Sequence, residues 1–228
     1  MTEIWNALLK AVELIVSRDA KLIEIAWLSL RISGTATLLA ALICIPLGSL
    51  IHFRQFHGKR LLINVVQTLF SVPTVIVGLF VFVLFSRAGP LGWTNILFTP
   101  GIMIIGQTIL ITPILLGLTI SALSGVERQV ADTAISLGAS GFQTTLAVLR
   151  EARYAVLAAV IMGFGRAISE LGLALMVGGN IRGFTRTITT AISLETAKGE
   201  LELAIALGII LLCLALIVNI TMNRIQQR

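Results

Sequence analysis

Residues 32–51, 61–86, 101–123 and 203–223 of this 228-residue chain contain no Asp, Glu, Lys or Arg. Each stretch has about the 20 apolar residues that carry an α-helix across a bilayer. A fifth apolar window, roughly 152–178, has Arg153 at its start and Arg166 and Glu170 inside it. The pattern predicts five spans, over about 22–52, 61–86, 101–123, 152–178 and 203–223, in one transmembrane domain of residues 20–228. The long uncharged run from Ala88 to Val126 is divided by AGPLGWTNILFTPG, whose Pro90, Asn95 and Pro100 mark a loop and whose Trp93 suits a membrane interface. Residues 1–19 form a separate amphipathic segment. There Ile4, Trp5, Leu8, Leu9, Val12, Ile15 and Val16 recur at helical spacing opposite Asn6, Lys10 and Glu13, the pattern of a helix lying in the interface. The basic start and small-residue cleavage site of a signal peptide are missing, so the first span is expected to persist in the mature protein.

Composition agrees with a bilayer setting. With 57% apolar and 12% charged residues, the chain has too little polar surface to cover a water-soluble globule of its length. The fold class expected is an all-α integral membrane protein. Arg54, Lys59 and Arg60 follow the first span, and Arg224 and Arg228 follow the last. The positive-inside rule then places the C-terminus in the cytoplasm, the N-terminus outside, and the loop of residues 124–151 inside. The net charge of +6 is explained by loops facing anionic membrane lipid, and no nucleic acid is implied. Cys44 and Cys213 fall within spans and read as packing residues, while His52 and His57 lack further ligands at metal spacing, so no metal site is expected. There is no GxxxxGK[ST] phosphate loop, no HExxH and no Gly-x-Ser-x-Gly elbow, so neither ATP hydrolysis nor another reaction is expected from this chain alone.

One loop breaks the apolar pattern. After Gly125, Val126, Val130, Ala134 and Leu137 recur at helical spacing, with Glu127, Arg128, Gln129 and Asp132 on a wet side. Gly138 supplies a helix stop, and a second helix starting near Gly141 or Phe142 leads into the fourth span. A short helix is thus held across the ends of two spans, with small residues at Ala131, Ala134, Gly138, Ala139 and Ser140 that would let another protein approach closely. The competing reading is an amphipathic helix resting on lipid headgroups.

The segment DTAISLG, Asp132 to Gly138, resembles the EAA loop of binding-protein-dependent ABC-transporter permeases, in which an acidic-small-small triplet precedes a glycine. Asp132, Thr133 and Ala134 occupy the triplet and Gly138 the glycine, although Thr133 replaces an alanine and Arg150-Glu151 stands where a Leu-Pro usually closes the motif. Pro46 to Gly48 and SVPTVIVGL, Ser71 to Leu79, fit the same type I importer fold, and the likeness extends over residues 22–224. GRAISELG, Gly165 to Gly172, is similar to the signature of molybdate and tungstate permeases, and the continuation from Met176 to Ala204 looks closest to the tungstate branch.

The resemblance implies an oxyanion importer in a bacterial or archaeal inner membrane. Two copies of this chain would form the pathway, and an extracytoplasmic binding protein would deliver tungstate or molybdate. Two cytoplasmic ATPase subunits, which bind the ATP and Mg that this chain does not, would grip the coupling helix through Val130, Ala131, Asp132, Thr133, Ala134, Leu137, Gly138, Ala139 and Ser140.

Arg166 and Glu170 are four residues apart on one face of the fourth span, where an isolated charge is expensive. They read either as an intrahelical ion pair or as part of the pathway. In the second case Arg166 would offer hydrogen bonds to a divalent oxyanion beside Ser169, and Glu170 would temper its affinity. The outer loop from Gly178 to Glu202 reads as a solvated loop with a short helix over Ile188 to Lys198, or as a face for the binding protein carrying Arg182 and Arg186. A secondary transporter or channel for a small anion remains the alternative class. The lack of an inverted repeat and the presence of a docking helix argue against it.

Overall fold

A computed structural model describes residues 2–226. In chain order it contains α1 (Thr2–Val16), α2 (Ala20–Phe53), α3 (Lys59–Thr68), α4 (Thr74–Phe85), α5 (Pro100–Ser124), α6 (Arg128–Ser136), α7 (Gly141–Glu151), α8 (Arg153–Ile168), α9 (Gly172–Gly178), α10 (Ile188–Lys198) and α11 (Leu201–Gln226). Arg228 and the side chains of Ile4 and Asn6 lie outside the described residues. Three unbroken helices, α2, α5 and Leu201–Thr221 of α11, are long and apolar enough to cross a bilayer. Two bent pairs bring the number to five when each pair is taken as one span.

The second and fourth spans are each a bent pair of helices. The segments Lys59–Ser71 and Thr74–Phe85 meet at 98°. Pro73 has no N–H to continue a helix, and its ring keeps the preceding residue out of the helical region. Val72 accordingly sits at φ −63°, ψ 127°. Helices α8 and α9 meet at 59° without a proline, across Ser169, Glu170 and Leu171.

Small residues set the spacing at the centre of the bundle. Ala36, Thr37, Ala40, Cys44 and Gly48 line the buried face of α2 toward α5. The helices come close enough for Cys44 Sγ to donate to the Thr112 carbonyl at 3.4 Å and for Thr108 Oγ1 to reach the Ala36 carbonyl at 3.3 Å. Without a hydrophobic force between helices in lipid, such close backbone approach is a main source of association. Leu173 of α9, fully buried, plugs between Gly78 of α4 and Gly106 of α5. A β-carbon on Gly78 would sit 3.0 Å from the Leu173 Cα, a backbone atom that cannot swing aside. Gly78→Val is therefore expected to destabilise the fold by about 1–3 kcal/mol through overpacking. A clear fall in the melting temperature of the detergent-purified protein would show it, and an unchanged value would rule out this packing.

The amphipathic helix α1 packs on the bundle through its small residues and leaves its large ones outside. Ala7 and Ala11 are buried, with α11 as the neighbouring helix, while Trp5, Leu9, Val12 and Val16 remain exposed. Lys10 Nζ reaches Glu202 Oε1 at 2.6 Å, and this hydrogen bond, with the carboxylate's charge, raises the Lys10 pKa above its ordinary value.

The loop after α9 is more integrated than a solvated loop. Thr185, Ile188, Thr190 and Ala191 are buried, and the Ile188 N–H donates to Ser29 Oγ of α2 at 2.8 Å. Threonine spacing explains this: Thr187 and Thr190 form a reciprocal capping box that starts α10, and Ile188 and Ala191 then fall on its packed face.

Candidate functional site

The α6–α7 hairpin gets its shape from its ends. Gly138 has φ +83°, where a β-carbon is strained. The Gly138 N–H donates to the Ile135 carbonyl at 2.9 Å, and the Ala139 N–H donates to the Ala134 carbonyl at 3.0 Å, closing the helix C-terminus. Ser140 then caps α7 reciprocally with Gln143. Val130, Ala131 and Ala134 are half-buried, and Val130 and Ala131 pack on a cluster of Leu123, Val148, Ala152 and Val156. Ala139 is also half-buried, whereas Asp132, Thr133, Gly138 and Ser140 are exposed. The small side chain of Ala131 lets α6 lie close to its own bundle.

What the hairpin presents outward is large and apolar. Ile135 is 60% exposed, Leu137 83% and Phe142 78%. Leu137 leaves the packed stripe because α6 ends at Ser136, one residue earlier, and Gly138 turns the chain away. Ile135 and Phe142 stand outside the coupling set expected from the motif. Their signal was available, since both are bulky apolar residues among the polar positions of a connecting segment.

Beyond the hairpin, α7 and α8 are separated by Ala152 alone, which keeps helical angles. The Val156 N–H bonds to the Ala152 carbonyl at 2.9 Å, so α8 starts from Ala152 itself and the two helices follow each other as a two-segment rod, jointed there, without the motif's proline. Along this rod Ala155, Ala158, Ala159 and Met162 face Leu118, Ser121 and Ala122 of α5 across an open cavity of about 770 Å³. Glu127 and Glu151 also line it. Arg166 follows Met162 by one helical turn.

The rod ends at Glu170, which is a joint and not a mid-helix residue as the sequence reading had it. Its side chain is 2% exposed. Arg166 Nη1 donates to Glu170 Oε2 at 2.9 Å, and the Leu173 N–H donates to Oε1 at 3.0 Å. The carboxylate thereby satisfies one of the free N–H groups that the broken span leaves at the start of α9. Thr189 Oγ1, just inside α10, donates to the Glu170 carbonyl at 2.7 Å. One residue thus ties α8, α9 and α10 together. Arg166 is only half-buried, and among the described residues Glu170 alone accepts from its guanidinium. The remaining donors can serve an anion or water. Ser169 is exposed, but its hydroxyl donates to the Gly165 and Arg166 carbonyls.

Arg182 and Arg186 do not act alike. Arg182 is exposed, whereas Arg186 is half-buried, with Nη1 3.5 Å from Glu195 Oε1. Lys198 Nζ approaches the same carboxylate at 3.1 Å. These pairs give Arg186 a structural role at the base of α10.

Comparison with known proteins fits this architecture. Residues 44–228 match the family described as binding-protein-dependent transport system inner membrane component. The chain is 43% identical to a probable anion ABC transporter permease of Haloferax volcanii, the alignment covering 91% of each chain. It is 42% identical to the tungstate uptake system permease TupB of Peptoclostridium acidaminophilum over 95% of each chain. With TupB of Campylobacter jejuni the identity is 37%, covering 98% of this chain and 94% of that one. A chain of the MetNI methionine ABC transporter superposes with a TM-score of 0.74 at 16% identity, covering 91% of this chain and 95% of that one. The bent spans, the helical hairpin and the family match agree: this chain has the fold of type I importer permeases and belongs to the inner-membrane components of binding-protein-dependent transport systems.

Proposed function

We propose that the chain is the transmembrane subunit of an ATP-driven oxyanion importer, with tungstate as first substrate and molybdate as second. Two copies enclose the pathway. An extracytoplasmic binding protein supplies the anion, and separate ATPase subunits, which carry ATP and Mg, dock on the α6–α7 hairpin. The N-terminus lies outside and the hairpin inside, in line with Arg54, Lys59 and Arg60 after α2 and Arg224 at the end of α11.

The observation that carries this reading is the path from the hairpin to the charged joint. The hairpin presents Ile135, Leu137 and Phe142 at its surface, and α7 and α8, with a single residue between them, lead from it to Arg166 and Glu170. From Phe142 to Arg166 the helical contour is roughly 35 Å, the path along which a movement of the hairpin would reach the charged joint. The names of the relatives at 42% and 37% identity support tungstate. At the joint the free donors of Arg166 suit a divalent oxyanion. Glu170 limits how tightly that anion is held, so that it can leave.

The test is reconstitution in proteoliposomes with the cognate ATPase and binding protein, measuring uptake of tungstate, molybdate and sulfate. Tungstate uptake is expected to require all three components and to stimulate ATP hydrolysis. Anion uptake by the permease alone, without ATP, would replace this reading with a secondary transporter or channel.

A further inference from the structure

Away from the pathway, α1, α2 and α11 leave a slot of about 320 Å³ between them, within the size range of small-molecule sites. Its walls are Leu14 and Ile15 of α1, Leu22, Ala26 and Trp27 of α2, and Ile210 of α11. Arg18 and Asp19, in the turn between α1 and α2, close one end. An apolar slot with a single charged end matches a molecule that is apolar along its length and ionic at its tip.

The turn itself points to the sign of that charge. The Arg18 N–H donates to the Ile15 carbonyl at 3.2 Å, and the Asp19 N–H donates to the Leu14 carbonyl at 3.1 Å. This is the helix ending whose left-handed position glycine normally occupies. Arg18 holds it with φ +55°, accepting strain that glycine would avoid. The arginine gains no side-chain partner in return among the described residues. Its side chain is exposed and forms no ion pair among the described residues. Asp19 does not neutralise it, because the Asp19 carboxylate caps α2 by accepting from the Lys21 and Leu22 N–H groups. Lys21 adds a second exposed cation beside the turn, while Glu13 and Glu24, also exposed, pair with neither.

The depth fits as well. The slot lies where α2 begins, ahead of the uncharged run from residue 32, and Trp27 is 66% exposed there, as aromatic rings at headgroup level are. We propose that this slot is a binding site for one glycerophospholipid, with an acyl chain between α1, α2 and α11 and the headgroup phosphate on Arg18. The exposed guanidinium of Arg18, without an ion pair among the described residues, favours an anionic headgroup. The proposal needs only that the chain resides in a membrane and is independent of the transported anion.

Native mass spectrometry of the delipidated permease, titrated with phosphatidylglycerol and with diacylglycerol of the same chains, tests it. The wild type is expected to bind phosphatidylglycerol at least tenfold more tightly than diacylglycerol. Arg18→Gly removes the guanidinium and relieves the left-handed strain, so it should keep or raise the melting temperature while weakening phosphatidylglycerol roughly tenfold. Ala26→Phe fills the slot and should lower binding of both lipids. Equal phosphatidylglycerol binding by wild type and Arg18→Gly would overturn the headgroup assignment. No retained lipid in the wild type, or undiminished binding in Ala26→Phe, would overturn the site.

Discussion

Leu137→Glu is expected to abolish ATP-driven uptake while leaving the permease folded. Leu137 is 83% exposed and belongs to none of the buried clusters, so a carboxylate there remains in water and costs the isolated subunit little. Against an ATPase the same side chain would be covered. The substitution then forfeits the transfer of an apolar side chain, about 1.5–3 kcal/mol, and also buries an unpaired charge. A loss of at least about 2 kcal/mol, near 30-fold in affinity, is typical of a central interface residue. Co-purification of the ATPase subunits should fail, with uptake falling in parallel, while the melting temperature of the permease alone stays within a degree or two of wild type. Leu137→Met keeps the apolar volume and should retain most of the activity. Wild-type uptake in Leu137→Glu would remove the hairpin's outer face from the coupling interface. A similar loss from Phe142→Glu would map the rest of that face.

Much of the architecture is legible in the sequence because its signals are local. Uncharged runs of sufficient length mark the spans, and Gly138 marks the end of α6 by a backbone conformation that other residues resist. The bends were harder to read. Pro73 is visible within the second stretch, yet Pro46 and Pro113 lie inside helices that stay unbroken, so proline alone does not decide. The break at Ser169–Leu171 has no local signal. It persists because Glu170 meets Arg166, the Leu173 N–H and Thr189, and Thr189 is 19 residues away in sequence. The sequence pattern of α1 shows its interfacial face but not its packed one: close approach to α11 selects Ala7 and Ala11 and leaves the bulky side chains outside. In lipid, apolar residues need not be inside, so hydrophobic periodicity marks the membrane-facing surface as readily as the core.

The Arg166–Glu170 pair can be separated into its structural and transport roles by a double-mutant cycle. Arg166→Met leaves the Glu170 carboxylate, 2% exposed, with only the Leu173 N–H as partner among the described residues. Stranding one member of a buried pair costs about 3–5 kcal/mol. Glu170→Gln is milder. Its amide oxygen can still accept from Leu173, and Arg166, 36% exposed, keeps access to water or lipid phosphate, so a loss of about 1 kcal/mol is expected. The double variant Arg166→Met/Glu170→Gln removes both charges and should recover most of the stability lost in Arg166→Met, since replacing a buried pair by neutral groups of similar size is often neutral. Thermal unfolding of the purified proteins reads this order. Uptake should not recover with it. If the free donors of Arg166 receive the oxyanion, the double variant folds yet transports tungstate at least about tenfold more slowly, a factor that loss of a single charge-assisted hydrogen bond of about 1.5–3 kcal/mol accounts for. Uptake restored together with stability would reduce the pair to a structural joint between α8 and α9. Persistent loss in a stable double variant would leave the guanidinium as the group that the anion meets.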